Sequence, residues 1–407
     1  MADRKLSNWL DAYLDYTYES EPPEIFHIWT GISTVASALQ RKCVLNWGPL
    51  QFYPNLYIVL VAPSGKARKG TAMAYGKNLM AKLGIKMAAE SITREALVRE
   101  IEQAYDTIID DETGSMTFHS SLTVCAPELV VFLGYNQQQL MMDLTDWFDC
   151  GHGPEGRWTY RTKTQGSDEL IGVWVNLIGA TTPDLLRSTL SMDAIGGGLT
   201  SRIIFVYAAD KGKSCPTPFI SPVKAELAED IYYDLEQIRL MKGEFKYTKE
   251  FISLWTDWYT AQEGKEIFKE HSLQPYCERR PVHIMKLSMV MSACRNSKMI
   301  VNEADLSKAI TLLEHTERFM PRVFSGIGKS PHAEVISKIM TEIGLQGKVA
   351  KSALMAKFYN DADDRALNLM IETLKTMKFL NVIYDAMGNE ILVHCKTGPG
   401  GQNESFS

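Results

Sequence analysis

Continuous apolar runs, rather than alternating ones, punctuate the first half of the chain. NLYIVLVAP, residues 55–63, has the pattern of a strand buried on both faces, and it passes through a glycine-containing loop into a helical repeat over 71–82. Three more such runs follow: SLTVCAPELVVFL at 121–133, after a polar and acidic stretch at 110–115, then LIGVWVNLIGATTPD at 170–184 and SRIIFVYAA at 201–209. Buried strands separated by helical stretches predict an α/β fold with a parallel sheet. Ahead of them, residues 1–50 read as helical. Trp9, Leu10, Tyr13, Leu14 and Tyr16 form one apolar group, Pro22 and Pro23 break it, and 25–39 form another. This predicts a helical collar before the first strand.

The pattern changes after KGKSCPTPFISP, residues 211–222. From 223 to 324 the period is helical almost throughout, with Pro281 and Asn302 as interruptions, which predicts an all-α unit. Three short helical patterns follow at 333–342, 351–359 and 363–378. FLNVIYDAMGNEILVHC then supplies two β-type runs joined at Met387, Gly388 and Asn389. Helix, helix, helix, hairpin is the outline of a winged helix. The expected organisation is a collar at 1–50, a core at 51–222, a helical lid at 223–325, a winged helix at 331–396 and a polar, glycine-rich tail at 397–407 that is mobile.

Composition narrows the class. With 45% hydrophobic and 23% charged residues in 407, the chain can bury a sizeable core, and global disorder is excluded. The net charge of -6 argues against nucleic acid coating the whole surface and leaves local basic patches open. The 7 cysteines are scattered without a CxxC pair, as expected of reduced thiols, and speak against a structural zinc site. The longest apolar runs fall short of the roughly 20 residues of a membrane helix. MADRKLSNWLDAYLDY has no apolar segment behind its charges, so a cytoplasmic protein without a membrane or secretory segment is expected.

The chemistry concentrates in APSGKARKGT, residues 62–71. A phosphate-binding loop needs small residues that let backbone N–H groups turn inward, a lysine to neutralise charge, a hydroxyl for Mg²⁺ and a helix start behind them. Ser64, Gly65, Arg68, Lys69, Gly70 and Thr71 are the candidate nucleotide-binding residues, with Thr71 as the metal ligand. The match to GxxxxGK[ST] departs in three ways. Ala62 stands for the first glycine, Arg68 stands for the glycine before the lysine, and the loop is one residue longer. The plain alternative is a lysine-rich surface turn.

NLYIVLVAPSGKARKGTA, CAPELVVFL, NLIGATTPD and GGGLTSRIIFVY, in this order, resemble the AAA+ P-loop ATPases of viruses and plasmids that act as replicative helicases or primase-helicases. The resemblance spans roughly residues 1 to 320, and the lid and winged helix are similar in arrangement to those of MCM-type helicases. It implies ATP and Mg²⁺ as cofactors, with Lys69, Glu128, Thr182 and Arg202 as the catalytic set. Glu128 in CAPEL would orient the attacking water, although Pro127 replaces the acid that should support the metal. Thr182 would be the polar sensor; capping a helix that starts at Pro183 is its ordinary alternative. Arg202 would reach a neighbouring subunit's nucleotide as an arginine finger, and pairing with an acid is the alternative. A finger acting in trans requires a homo-oligomer, expected as a hexameric ring. In YCERRPVHIMKLSMVMSA, Arg280, Arg279 and Lys286 are the candidates for a second sensor over the nucleotide.

Arg157, Tyr160, Arg161 and Lys163 precede a turn signal at Gln165 to Asp168, which predicts a hairpin with a basic, aromatic arm. In the related helicases such a hairpin projects into the ring's channel, where it would follow single-stranded or forked DNA; an ordinary surface hairpin is the alternative. The winged helix carries Lys348, Lys351, Lys357, Arg365, Lys375 and Lys378, but Asp361, Asp363 and Asp364 cluster at the start of its third helix. The sequence thus suggests an ATP-dependent DNA motor of a phage, prophage or plasmid, working with a separate primase. A nucleotide-dependent DNA-binding scaffold without turnover is the second reading.

Overall fold

Capping chemistry sets the first two helices. The Asn8 side chain accepts N–H groups of Leu10 and Asp11 and starts α1 (Trp9–Thr17); α2 (Glu24–Leu39) starts behind Pro23, whose ring fixes φ at -63°. In the computed structural model the described residues are 3–109, 114–134, 138–151, 156–162, 166–189, 198–217, 221–268, 270, 273–324, 333–359 and 361–395. Met1–Ser325 make one unit and Gly326–Ser407 a second.

The centre of the first unit is a five-stranded sheet in the order β4-β5-β8-β3-β9. Its strands are β3 (Tyr57–Val61), β4 (Tyr105–Ile109), β5 (Met116–Ala126), β8 (Val173–Thr181) and β9 (Ile203–Tyr207). Every residue of β3 and β8 is buried, as the continuous apolar runs require. β5, β8, β3 and β9 are parallel, whereas β4 is an antiparallel edge strand, so the sheet is mixed rather than all-parallel. β4 is largely exposed, and its sequence YDTII carries no buried-strand run that would announce it. Pro127 ends β5, and LVVFL becomes α5 (Leu129–Leu133) instead of continuing the strand.

Helices α3 (Lys69–Lys82), α4 (Arg94–Gln103), α6 (Gln138–Phe148) and α7 (Pro183–Thr189) link these strands, and β6 (Trp158–Thr162) and β7 (Gly166–Leu170) form a separate hairpin. Gly172 joins that hairpin to β8 at φ +60°. A Cβ there would meet the Phe118 carbonyl oxygen at 2.4 Å, so the close approach requires glycine.

α2 is buried along almost its whole length against α3 and the sheet. Asn176 of β8 donates to the hydroxyls of Ser33 and Ser37 at 3.0 Å, and the Thr123 hydroxyl donates to Ser37 at 3.0 Å, so these four polar side chains satisfy one another where α2 meets the sheet. The second helix of the expected collar is therefore packed into the core.

A second sheet, β11-β10-β1-β2, corrects two expectations. It joins β1 (Cys43–Trp47), from the segment read as helical, and β2 (Leu50–Phe52), at that segment's boundary with the core, to β10 (Gly243–Tyr247) and β11 (Ile300–Val301), from the segment read as all-α. Cys43 pairs with Gly243 and Leu45 with Phe245 in parallel. Strands of two to five residues carry too few positions for a period to register, and their partners lie far away in sequence. The helices around them are α8 (Pro222–Arg239), α9 (Lys249–Gln262), α10 (Gln274–Cys277), α11 (Arg280–Arg295) and α12 (Glu303–Glu317).

The second unit has helices α13 (Ala333–Gln346), α14 (Lys351–Phe358) and α15 (Asp364–Thr376) with an antiparallel sheet. Its strands, in the order β12-β14-β13, are β12 (Lys348–Ala350), β13 (Leu380–Tyr384) and β14 (Glu390–His394). Ile339, Leu354, Leu367, Leu374, Leu380 and Leu392 fill its core. The architecture of the chain is α/β, and among the described residues no helix is long and apolar enough to cross a membrane.

Candidate functional site

The parallel strands end together. Val61 of β3 lies opposite Thr181 of β8 and Tyr207 of β9, and Ala126 of β5 lies opposite Gly179 of β8. The loop 62–68, Glu128 and Thr182 therefore share the carboxyl-terminal edge of the sheet, where open α/β sheets place ligands. The loop is anchored at its base by Ala62 N–H donating to Thr181 O at 3.4 Å and by Ala208 N–H donating to Val61 O at 3.0 Å.

Two residues bend the loop through the left-handed region: Gly65 at φ 70° and Arg68 at φ 52°, ψ 40°. Arg68 thus holds a glycine-type conformation at the position where the motif has glycine. Its guanidinium turns to Glu21 at 2.8 Å, which also holds Lys211 at 2.7 Å. Hydrogen bonds to Lys211 and Arg68 bring the Glu21 carboxyl down to about 2. Helix α3 starts at Lys69 without a side-chain cap, which leaves the first-turn N–H groups at Lys69, Gly70 and Thr71 as the positive end of the helix dipole. Ser64, Gly65, Gly70 and Thr71 are exposed. A Cβ at Gly65 or Gly70 would meet nothing within 4 Å, so the space around the loop is open.

The Lys69 ammonium donates to the Ala62 carbonyl at 2.8 Å. Burial lowers its pKa, and the charge of Glu128 opposes that shift, so the two side chains feel one another across the edge. Glu128 is exposed and caps α5 with an extended backbone. One strand, β8, separates its strand from β3, roughly 10 Å at two strand spacings. The Thr182 hydroxyl accepts the Leu185 N–H at 3.2 Å, which is the helix-capping role.

A cavity of ≈ 240 Å³ opens at the end of β9, the strand that pairs with β3. Ile25, Tyr207, Ala208, His315, Phe319 and Arg322 line it. The sequence reading missed these residues because they come from the start of α2, the end of β9, the end of α12 and the turn after it, with no motif in common.

The remaining arginines lie elsewhere. α11 begins at the amino-terminal edge of the sheet: His283 lies 3.3 Å from Ser201 O, just ahead of β9, and Lys286 donates to Asn55 Oδ1 at 2.7 Å, just ahead of β3. β3 puts about 16 Å between this edge and the loop. Arg279, Arg280 and Lys286 therefore do not arch over the loop of their own chain, and the second-sensor reading is corrected. Arg280 is 3% exposed and grips Glu317 through two bonds at 2.7 and 2.9 Å, with Gln262 at 2.8 Å. Arg202 is at the same edge and 7% exposed; it pairs with Asp149 at 2.6 Å and donates to Gly198 O at 2.8 Å. Its ion-pair alternative is thus realised within the chain.

β6 and β7 form the expected hairpin in the register Trp158↔Leu170 to Thr162↔Gly166. Gly166, Ser167 and Asp168, expected in the turn, are strand residues. Arg157 pairs with Glu169 at 2.8 Å. Tyr160 and Arg161 lie on β6, and their side chains, like Lys163, fall outside the described residues. In the second unit the acidic cluster has structural roles: Asp363 caps α15 through the Ala366 N–H at 2.8 Å, and Asp361 pairs with Lys338 at 3.1 Å.

Among the described residues no three His, Cys, Asp or Glu side chains converge as a metal centre. No protein-family model matches the chain, and no curated protein matches it.

Proposed function

We propose that the chain is an ATP-hydrolysing, ring-forming motor on DNA, with a P-loop core of the AAA+ type and a winged helix at its end. One observation carries this reading: a bent loop leads into an uncapped helix start holding Lys69, at the carboxyl edge of a parallel sheet, with Glu128 within electrostatic reach. Loop and first-turn N–H groups with a lysine suit a triphosphate. The Thr71 hydroxyl, exposed on the first turn, suits Mg²⁺, which when bound would neutralise phosphate charge. Glu128 would orient and take the proton of the attacking water. The ≈ 240 Å³ cavity at the end of β9, the strand next to β3, suits a base.

Arg202 is too far from its own loop to serve it and would act on a second copy's nucleotide, which requires its guanidinium to leave Asp149. Arg157, Tyr160, Arg161 and Lys163 on the hairpin are proposed to follow the DNA strand. The scaffold reading draws on Pro127, which removes the metal-supporting acid, and on the engagement of Arg202 by Asp149. Phosphate release measured with and without single-stranded DNA tests both. The motor predicts DNA-stimulated turnover that Lys69→Ala abolishes, and equal rates for the two proteins would sink it. Nucleotide-dependent oligomers without turnover would favour the scaffold.

A further inference from the structure

A second cavity, of ≈ 610 Å³, opens at the amino-terminal edge of the central sheet, remote from the loop. Its size is that of a small-molecule site. Trp47, Tyr53, Trp255 and Tyr259 form an aromatic wall, with the Trp47 and Trp255 ring centres 6.0 Å apart and those of Trp255 and Tyr259 5.8 Å apart. The wall unites β1 and the segment after β2 with α9, which is why no motif marks it.

The polar side of the cavity is cationic. Lys286 lines it while 3% exposed. Its ammonium donates to Asn55 Oδ1 at 2.7 Å and Phe148 O at 2.9 Å and lies 3.8 Å from the centre of the Phe148 ring, and no carboxylate among the described residues comes within salt-bridge distance of it. Arg279 stands beside it, and its counter-ion Asp149, at 3.4 Å, is claimed more closely by Arg202 at 2.6 Å. Two arginines thus share the one carboxylate at the floor, with the Lys286 ammonium near enough to feel its charge, and Glu278 on the exposed rim is the other acid present. Burial draws the Lys286 ammonium down to about 8, so an anion that keeps it charged gains from the contact.

We infer that this cavity binds a planar heteroaromatic anion, a nucleobase joined to a phosphate, with the ring against the aromatic wall and the phosphate on Lys286 and Arg279. Such a group comes from a free mononucleotide or from a single-stranded nucleic acid. The site is separate from the loop and does not depend on it.

Tryptophan fluorescence and calorimetry on the full chain, in the presence of EDTA, test this with adenosine and thymidine 5′-monophosphate, a 5′-phosphorylated oligothymidylate and inorganic phosphate alone. Quenching by a mononucleotide or by the oligonucleotide supports the site and names its source. Arg279→Gln, at a half-exposed position that the fold tolerates, should weaken that binding about tenfold or more, as loss of a charged hydrogen bond does. Trp255→Phe, which keeps an aromatic ring, should reduce the quench with affinity largely kept, and Lys69→Ala should leave both unchanged. Absence of binding by every probe overturns the inference, as does inorganic phosphate binding as tightly as the nucleotides. Binding lost in Lys69→Ala but kept in Arg279→Gln overturns it too, while leaving the proposed loop site standing.

Discussion

Removing Arg280 alone should unfold the first unit far more readily than removing Arg280 and Glu317 together. The two side chains are 3% and 4% exposed and meet through two hydrogen bonds, at 2.7 and 2.9 Å. Arg280→Met leaves the Glu317 carboxylate buried with the Tyr276 hydroxyl, at 3.1 Å, as its main donor. Breaking a buried pair costs about 3–5 kcal/mol, and the surviving Tyr276 bond places this case near about 3 kcal/mol. The double variant Arg280→Met/Glu317→Leu leaves no orphan charge and should fall within about 1 kcal/mol of the parent. The deficit of the single variant should also depend on pH. Burial already raises the Glu317 carboxyl above its ordinary 4.5, and loss of Arg280 removes the charge that opposes this. The folded variant then holds a proton that the unfolded chain releases, so its deficit is largest at high pH and shrinks as pH falls toward the ordinary carboxyl value. Guanidinium unfolding followed by tryptophan fluorescence reads the correct unit, because all 8 tryptophans precede residue 326. A single variant that loses less than about 1 kcal/mol, or a double variant as unstable as the single, would refute the reasoning. A role over the nucleotide would instead lower ATP affinity in the folded single variant, which the ion-pair role leaves unchanged.

At the loop, Arg68→Gly should be more stable than Arg68→Ala by about 1 kcal/mol in chemical unfolding, because φ 52° suits a residue without Cβ. Both lose the same exposed pair with Glu21, which contributes little, so an Ala variant equal to Gly would remove the argument. Acid should weaken the first unit well before carboxylates titrate. His27 and His119 are pulled down by burial to about 4 and His283 to about 3, against an ordinary 6.5. The unfolded chain therefore binds protons that the folded one refuses, and stability falls as pH drops from near 7 toward 4. At pH 5 each imidazole costs at most about 2 kcal/mol. Unfolding midpoints that stay level between pH 7 and 5 would contradict this burial.

The elements read directly from the sequence share a property: their cause is local. Val59 and its neighbours are apolar at every position, so β3 announces its own burial. Gly65 marks a bend in the loop between strand and helix, and Gly388 marks the turn between β13 and β14. The loop and Glu128 were legible as candidates because each follows directly on a buried run. Arg280 and Lys286 were misplaced because a helical pattern fixes neither where the helix docks nor which of its ends meets the sheet. Thr182 and Arg202 had two readings each, and the partners they take within the chain, Leu185 N–H and Asp149, are visible only in three dimensions.

The sequence by itself determined where strands are buried on both faces, where the loop with Lys69 falls, and that a small helical and hairpin unit closes the chain. The tertiary structure alone decided that the β1 segment pairs with β10, that the strand ends bring Lys69 and Glu128 to one edge, and that Arg202 and Arg279 gather on Asp149 at the other. The physical reason is one of range. Periodicity and turn chemistry act over a few residues, whereas strand order and helix docking follow from how buried surfaces far apart in sequence fit together.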